Sequence, residues 1–297
     1  MTNEGAGRIG WIGMGKMGLP ICRRLQGAGF AVTALCRSDA SAAVATAEGF
    51  AVARELAQVV AGADLVVSAI PDDAALAEIL LPEGALKDLL ARDQVFIDLS
   101  TVSPAISARV AAALAPVGCA YLRSPVSGST ATAAQGALTA IVSGPAEVFA
   151  ARAGFFAGFT RKAFLVGAGE EARTLKLSIN AMVGATSALL AEALRLARQG
   201  GLDIATIMAV VAESAVASPL VQYKRGAIVS GDYAPAFSAA QMLKDFDLIG
   251  EAAAATGCAM PLVSSIREVY RDAVARGLGE RDFFVLTAGD AGGGRKQ

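Results

Sequence analysis

The stretch from Gly167 to Gly200, GAGEEARTLKLSINAMVGATSALLAEALRLARQG, limits the fold more than any other part of the chain. Glycines open and close it, no proline interrupts it, and Gly184 is the single glycine well inside it. The pattern predicts a helix over about 170–198, roughly 43 Å long at the α-helical rise and far longer than the average helix. Leu175, Leu177, Ile179, Met182, Val183, Leu189, Leu190, Leu194 and Leu196 fall nearly all round it. A helix without a continuous polar face has to be covered on several sides. One of this length can run from one packed unit into the next. Charge is scarce along it, which singles out Lys176, four residues before Asn180 and on the same face. By itself the stretch fits a snorkelling surface lysine as well as a functional one.

A chain of 297 residues exceeds one ordinary core. Two domains are expected, 1–166 and 167–297. Hydrophobic residues make up 54%, yet no charge-free apolar run reaches the ~18 residues of a transmembrane helix. The opening MTNEGAGR has no signal-peptide apolar core. The expectation is therefore a cytoplasmic protein with no membrane partner. A formal net charge of -1 and the lack of a basic cluster argue against a nucleic-acid partner. Cys22, Cys36, Cys119 and Cys258 are far apart and form no CxxC pair, so reduced, mostly buried thiols are expected.

The chain contains no histidine. Ser-His and Cys-His nucleophile systems, histidine acid–base chemistry and the usual zinc sites are thereby excluded, and no metal is expected. Proton transfer falls to Lys, Asp, Glu, Tyr or Cys.

In chain order, Arg8 to Ile12 reads as a short buried strand. Gly13-Met14-Gly15-Lys16-Met17-Gly18 follows at once, then a helical segment with Pro20 in its first turn, then a strand over Phe30 to Leu35. A G-x-G-x-x-G between strand and helix is the arrangement of a dinucleotide-binding turn. Its glycines let the backbone approach a pyrophosphate, and the helix N-terminus attracts the charge. The second strand ends Leu35-Cys36-Arg37-Ser38, with no carboxylate before Asp39. An NAD enzyme commonly places an acidic residue there for the ribose hydroxyl. A cation and a hydroxyl suit the 2′-phosphate of NADP instead, although a solvated surface arginine is the other reading of Arg37.

Ala63 to Ile70 reads as a strand stopped by Pro71, Gln94 to Leu99 as the next, and Ser103-Pro104 as the start of a helix. In an open parallel sheet ligands lie beyond the carboxyl ends of the strands, so Ile70, Pro71, Ser100 and Thr101 are expected to face the cofactor. As a Ser-Thr pair, Ser100 and Thr101 fit a plain turn equally well. Ala120 to Leu122 leads into Arg123-Ser124-Pro125-Val126-Ser127-Gly128-Ser129-Thr130, a small, polar loop that either presents backbone N–H groups to an anion or is an ordinary connection. Strands over 137–142 and 163–166, with a helix over 145–159 between them, complete the sheet. After the long helix only helices are expected, over 202–214, 220–229, 238–256, 261–276 and 281–286, followed by the short tail GGGRKQ. The fold class is thus an α/β Rossmann-type domain followed by an all-α domain, joined by a long helix.

These motifs together resemble the β-hydroxyacid dehydrogenase family, which includes 3-hydroxyisobutyrate dehydrogenases, tartronate semialdehyde reductases and glyoxylate/succinic semialdehyde reductases. IGWIGMGKMGLP resembles the family's cofactor turn, and DLSTVSP resembles the segment that brings Thr101 to the cofactor. SPVSGSTATAAQGALTAIVSG resembles the substrate loop, in which the resemblance gives Ser127 and Gly128 the substrate carboxylate. GAGEEARTLKLSIN resembles the catalytic helix, with Lys176 as catalytic lysine and Asn180 as substrate-binding asparagine. MLKDFDL resembles the later Lys-Asp motif and implies a cofactor contact for Lys244. The chain departs from the family at Arg123-Ser124, where Asp-Ala is usual, and at Ser129, where a second glycine is usual. Arg123 is either a second anchor for an anionic substrate or the partner of a nearby carboxylate.

The resemblance implies an NAD(P)-dependent enzyme that interconverts a small 3-hydroxy acid and its aldehyde or keto acid, and the Arg37-Ser38 strand end leads to an expectation of NADP over NAD. Lys176 is the expected general acid–base. A free lysine at ~10.4 is a poor base at neutral pH, and burial in an apolar setting lowers that value. Ser127, Gly128 and Ser129 are expected to fix the carboxylate of the substrate. A homodimer or homotetramer is expected because so apolar a set of helices needs cover. An imine reductase of similar fold and a catalytically silent cofactor-binding interaction module are the alternatives. Imine reductases usually carry Asp or Tyr in place of the lysine, and a silent module would be expected to lack Lys176 or Asn180.

Overall fold

The computed structural model describes residues 7–288. The chain divides into two compact units, Met1–Lys176 and Leu177–Gln297. This division falls inside the long helix, whereas the sequence boundary was set before it, at residue 166.

The first unit runs β1 (Arg8–Ile12), α1 (Gly18–Gly27), β2 (Ala31–Leu35), α2 (Asp39–Ala47), β3 (Ala51–Ala53), α3 (Leu56–Val60), β4 (Leu65–Ser68), α4 (Asp73–Leu80) and α5 (Leu86–Leu89). It continues with β5 (Val95–Asp98), α6 (Pro104–Leu114), β6 (Ala120–Arg123), β7 (Val126–Ser127), α7 (Thr130–Ala134), β8 (Leu138–Ser143), α8 (Ala146–Ala151), α9 (Ala153–Phe159) and β9 (Thr160–Gly167). One sheet holds the strands in the order β3-β2-β1-β4-β5-β6-β8-β7, with β9 beside β8. Pairing is parallel except where β8 meets β6 and β7.

The central strands are buried on both faces, as a helix-covered parallel sheet requires. Side chains alternate between faces, so Ile9, Trp11, Val67 and Ile97 enter one core with Ile21, Leu25 and Phe155. Ile12, Val66 and Phe96 enter the other with Leu76, Ile106 and Val110. Strand order reverses at β1, with β2 on one side and β4 on the other, which opens a crevice at their carboxyl ends.

Two strands escaped the sequence reading. β3 has three residues and β7 two, too few to form a periodic pattern. The expected helix over 145–159 is two helices, because Arg152 leaves the helical region at φ -109° and ψ 18°. The break lets Phe149 on α8 and Phe155, Phe156 and Phe159 on α9 pack ring against ring.

Helix α10 (Glu171–Gln199) is 29 residues long. Its first turns carry Arg173, fully buried and paired with buried Asp98 at 2.6 Å. Arg173 Nη1 also donates to the Ser100 carbonyl at 2.7 Å, Nη2 to the Tyr121 hydroxyl at 2.9 Å and Nε to Ser107 Oγ at 3.2 Å. Asp98 in turn accepts from Ser68 Oγ and Ser100 Oγ, each at 2.6 Å. Burial opposes the charge on Arg173, but Tyr121 and Asp98 offset it and hold the guanidinium above its ordinary pKa.

The second unit contains most of α10 together with α11 (Ile204–Glu213), α12 (Pro219–Ser230), α13 (Ala239–Thr256) and α14 (Pro261–Ala273). Ser218 and Ser238 cap α12 and α13, and Gly231 and Gly257 close them in the left-handed region. The sequence extended α14 to residue 276. The structure instead loosens into a wide turn over Val274–Leu278, where Gly277 has φ 80°. The segment expected as a helix over 281–286 is a 3₁₀ helix at Phe283–Ala288. The core joins Leu177, Leu190 and Leu194 of α10 to Met208, Met242, Phe246, Tyr270 and Phe284. A buried Lys224–Asp282 pair at 2.7 Å ties α12 to the last segment. By length and composition α10 could cross a membrane, yet 50% of its most apolar 18-residue window is buried within the protein.

Breaking the Arg173–Asp98 pair from one side leaves a charge buried without its partner. Arg173→Met should lower the stability of the first unit by about 3–5 kcal/mol, read from its urea transition. A loss below about 1 kcal/mol would show that the network around Asp98 does not depend on the arginine.

Candidate active site

The glycine turn has three glycines with three different physical roles. Gly13 has φ 102°, and a Cβ there would lie 2.1 Å from the Ala69 carbonyl oxygen. A Cβ on Gly18 would lie 2.1 Å from the Gly13 carbonyl oxygen and 3.1 Å from Trp11 Nε1. Trp11 Nε1 itself donates to that carbonyl at 3.0 Å. The outer glycines are therefore required by the protein's own packing. Gly15 is different: a Cβ there would meet nothing within 4 Å. The space over it is open for a ligand's approach. Helix α1 starts at Gly18 with Met17 before it and no side-chain cap. The Leu19 and Ile21 N–H groups donate to the Gly15 and Met17 carbonyls at 3.0 and 3.4 Å and Pro20 has none, so the positive end of the helix and the backbone of the glycine turn face an anion. Met14, Lys16 and Met17 complete the turn. The donor set fits the pyrophosphate of a dinucleotide.

The neighbouring loops are braced. The Ile70 N–H donates to Ser100 Oγ at 2.9 Å, and Ser100 Oγ donates to Asp98. Asp73 accepts from both the N–H and the hydroxyl of Ser103. Ser100, read as cofactor-facing or as a plain turn residue, here braces the ends of β4 and β5. Pro71 and Thr101 lie on these braced loops.

At the end of β2, Arg37 is exposed and reaches Glu78 at 3.1 Å, with side-chain exposures of 60% and 67%. Ser38 caps α2, its hydroxyl accepting from the Ser41 N–H at 3.2 Å. A second guanidinium stands at the same strand end and was not found from the sequence. Arg54 donates to the Cys36 carbonyl at 3.2 Å and to Asp39 at 2.6 Å. It follows β3, whose parallel pairing with β2 brings it there. Without β3 the sequence held no signal for it.

Arg123, at the end of β6, is 7% exposed. Its Nε and Nη2 reach Glu170 Oε1 at 2.8 and 2.7 Å, and its guanidinium lies 4.5 Å from the centre of the Tyr121 ring. Of the two readings left open for Arg123, this is the carboxylate pair. Ser127 is half-buried in β7. Gly128 has φ 142°, and a Cβ there would lie 2.5 Å from Thr132 Oγ1. Ser129 caps α7: its hydroxyl accepts from the Thr132 N–H at 3.3 Å, and its own N–H donates to Thr132 Oγ1 at 2.7 Å. A second glycine would remove this side-chain cap.

Lys176 is 8% exposed, one turn after the anchored Arg173. Asn180 follows a turn later on the same face of α10 and is 6% exposed. In the helical unit Asn180 Nδ2 donates to Asp245 Oδ2 at 2.6 Å, and Lys244 Nζ lies 2.9 Å from Asp245 Oδ1. Asp245 is fully buried. It is the residue the sequence reading passed over, although the Lys-Asp dipeptide pointed to it. Its carboxylate holds the amide of Asn180 in one orientation.

Residues 8–167 match the family described as the NAD-binding domain of 6-phosphogluconate dehydrogenase. Residues 167–287 match the family described as NAD-binding of NADP-dependent 3-hydroxyisobutyrate dehydrogenase. An NAD-dependent L-serine dehydrogenase of Pseudomonas aeruginosa is 30% identical over 94% of this chain and 96% of its own length. The structure of a Mycobacterium tuberculosis 3-hydroxyisobutyrate dehydrogenase with L-serine superposes with a TM-score of 0.85 at 27% identity, covering 95% of this chain and 98% of that one. An imine reductase from a Pseudomonas species shares the fold more distantly, with a TM-score of 0.62 at 19% identity over 94% and 98% of the two chains. With both of its halves matched in this way, the chain belongs to the β-hydroxyacid dehydrogenase family of NAD(P)-dependent oxidoreductases.

Proposed function

We propose that this protein interconverts a small 3-hydroxy acid and the corresponding aldehyde or keto acid, with Lys176 as general acid–base and NADP as the preferred cofactor. The observation that carries the reading is a buried lysine one turn from an asparagine whose amide is held by a buried carboxylate. The nicotinamide, when bound, supplies hydride acceptance or donation. The turn Gly13–Gly18 holds the pyrophosphate through its own backbone and the positive end of α1. Ile70, Pro71, Thr101 and Lys244 are assigned to the cofactor as well. Ser127 and Gly128 take the substrate carboxylate, Gly128 through its backbone N–H. Ser129 contributes by fixing the loop, since its side chain is engaged as a cap. Lys176 takes the hydroxyl proton in oxidation and returns it in reduction. Asn180 holds the substrate oxygen or the lysine in line.

NADP is preferred because β2 ends in Arg37 and Ser38 rather than in a carboxylate. Asp39, the acidic residue that could favour NAD, pairs with Arg54 at 2.6 Å, with side-chain exposures of 99% and 47%. The Arg37–Glu78 pair is exposed on both sides, so it is worth at most about 1 kcal/mol and gives way readily to a phosphate.

Lys176→Met should lower kcat by ~10²-fold or more while leaving dinucleotide affinity and melting temperature near those of the parent. A panel of small aldehyde acids followed at 340 nm with NADPH supplies the assay, and near-parent turnover would remove the lysine from the mechanism.

Gly15→Ala tests the turn. The chain accommodates the methyl group, so melting temperature should hold while affinity for both dinucleotides falls at least about tenfold, or ~1.4 kcal/mol. Trp11, the one tryptophan in the chain, bonds to the turn and offers a fluorescence readout. Unchanged affinity would place the pyrophosphate elsewhere.

Arg37→Ala should weaken NADPH by about tenfold or more and leave NADH nearly unchanged, and added salt should erode the same preference in the parent. A parent that binds NADH as tightly as NADPH would make Arg37 a surface charge only.

A further inference from the structure

Two guanidiniums flank the end of β2, and they are held very differently. The Arg37 side chain extends into water and pairs with Glu78, itself an exposed carboxylate. Arg54 is fixed at both ends. Its backbone N–H donates to Gln58 Oε1 at 2.8 Å in the first turn of α3. The residue before it, Ala53, accepts from the Cys36 N–H at 2.9 Å. At the far end of the side chain, Nη1 donates to the Cys36 carbonyl at 3.2 Å and Nη2 to Asp39 Oδ1 at 2.6 Å. The guanidinium of Arg54 is therefore already in place at the end of β2 before any ligand arrives.

Its two side-chain bonds are of unequal worth. The bond to Cys36 goes to the backbone of a fully buried residue. The bond to Asp39 goes to a carboxylate that is 99% exposed, and such a pair contributes little in water. A stronger anion can replace that carboxylate at small cost. The two bonds use one N–H on each terminal nitrogen and leave the rest of the planar fork open. Ser38, the hydroxyl beside Arg37, is less available than its place in the sequence implies. Its Oγ accepts from the Ser41 N–H at 3.2 Å and donates to Ser41 Oγ at 3.1 Å.

We propose that Arg54, ahead of Arg37, is the principal residue for the 2′-phosphate of NADP, and that Asp39 competes with that phosphate for it. The inference rests on the NADP preference proposed above. A donor held in place beforehand loses less freedom on binding than one that swings in water, and a guanidinium–phosphate bond is charge-assisted and suited to the fork. An arginine that only tied β2 to β3 would act on both dinucleotides alike. One that receives the phosphate acts on NADP alone.

Dissociation constants of the full chain separate these roles. NADPH and NADH are titrated against Trp11 fluorescence, and 2′,5′-ADP and 5′-AMP by calorimetry. R54A should weaken NADPH and 2′,5′-ADP about 100-fold, more than R37A does, and leave NADH and 5′-AMP nearly unchanged. D39N keeps Arg54 and removes its competitor, so NADPH should bind about threefold tighter with NADH as in the parent. This second variant keeps the test open should R54A melt early. An R54A that weakens both dinucleotides equally, a loss smaller than that of R37A, or a D39N that weakens NADPH would each overturn the proposal. A parent that binds 2′,5′-ADP no better than 5′-AMP would remove the NADP preference itself, and the role of Arg54 with it. A parent that discriminates, with an R54A that discriminates equally well, would overturn the role of Arg54 and leave the preference standing.

Discussion

The buried pair of Arg173 and Asp98 is the constraint on which the sheet unit's working end depends. An isolated charge in that position would be expelled or neutralised. Here a single guanidinium satisfies a carboxylate, a backbone carbonyl and two hydroxyls, while Asp98 gathers Ser68 and Ser100. Such pairs contribute little net stability against an apolar alternative, but their geometry is demanding. What they provide is register. The start of α10 is held at one depth and one rotation against β5 and β6. Lys176, three residues on, inherits both. Through Ser100 the same carboxylate also fixes the N–H of Ile70. The loop after β4 and the start of α10 therefore share one point of reference.

How much could be read in advance follows the range of the physics involved. The glycine turn was legible because its spacing between a strand and a helix is a local pattern, although the atom that excludes a side chain at Gly13 is the remote Ala69 carbonyl oxygen. The long helix was legible because its apolar pattern lasts through 29 residues. Arg54 was not, since it reaches Cys36 only through β3, a strand of three residues. Ser100 looked like a turn residue because its partners, Ile70 and Arg173, are remote in sequence. Arg123 carried two readings because Glu170 lies 47 positions away. Ser129 was expected at the substrate from its place in the loop, and its hydroxyl also accepts from the Thr132 N–H in the first turn of α7.

The lack of histidine gives the chemistry its character. No side chain in this chain changes charge near neutrality in its ordinary state. Of the thiols, Cys22 and Cys119 are shifted upward by burial, Cys119 to about 11, so neither offers a thiolate. In the proposed reaction, proton transfer then rests on how Lys176 is placed rather than on which residue type is available. This is consistent with the investment of buried polar contacts around its helix, Arg173 on one side and the Asn180–Asp245 bond on the other.

Gly184 has a consequence that extends beyond its own position. The ring of Phe246 lies so close that a Cβ on Gly184 would come within 2.3 Å of it, and Met242 Sδ would be at 2.9 Å. The missing side chain sets how near α13 can come to α10, and Tyr270 closes the same spot by donating to the Gly184 carbonyl at 3.1 Å. Asp245 sits between Met242 and Phe246 on α13, and Asn180 sits one turn before Gly184 on α10. The glycine thus acts as a gauge block: the thickness it withholds is the distance across which an asparagine and a carboxylate can meet. Evolutionary drift at position 184 would be felt first as a change of polar geometry one turn away, before it was felt as a loss of packing.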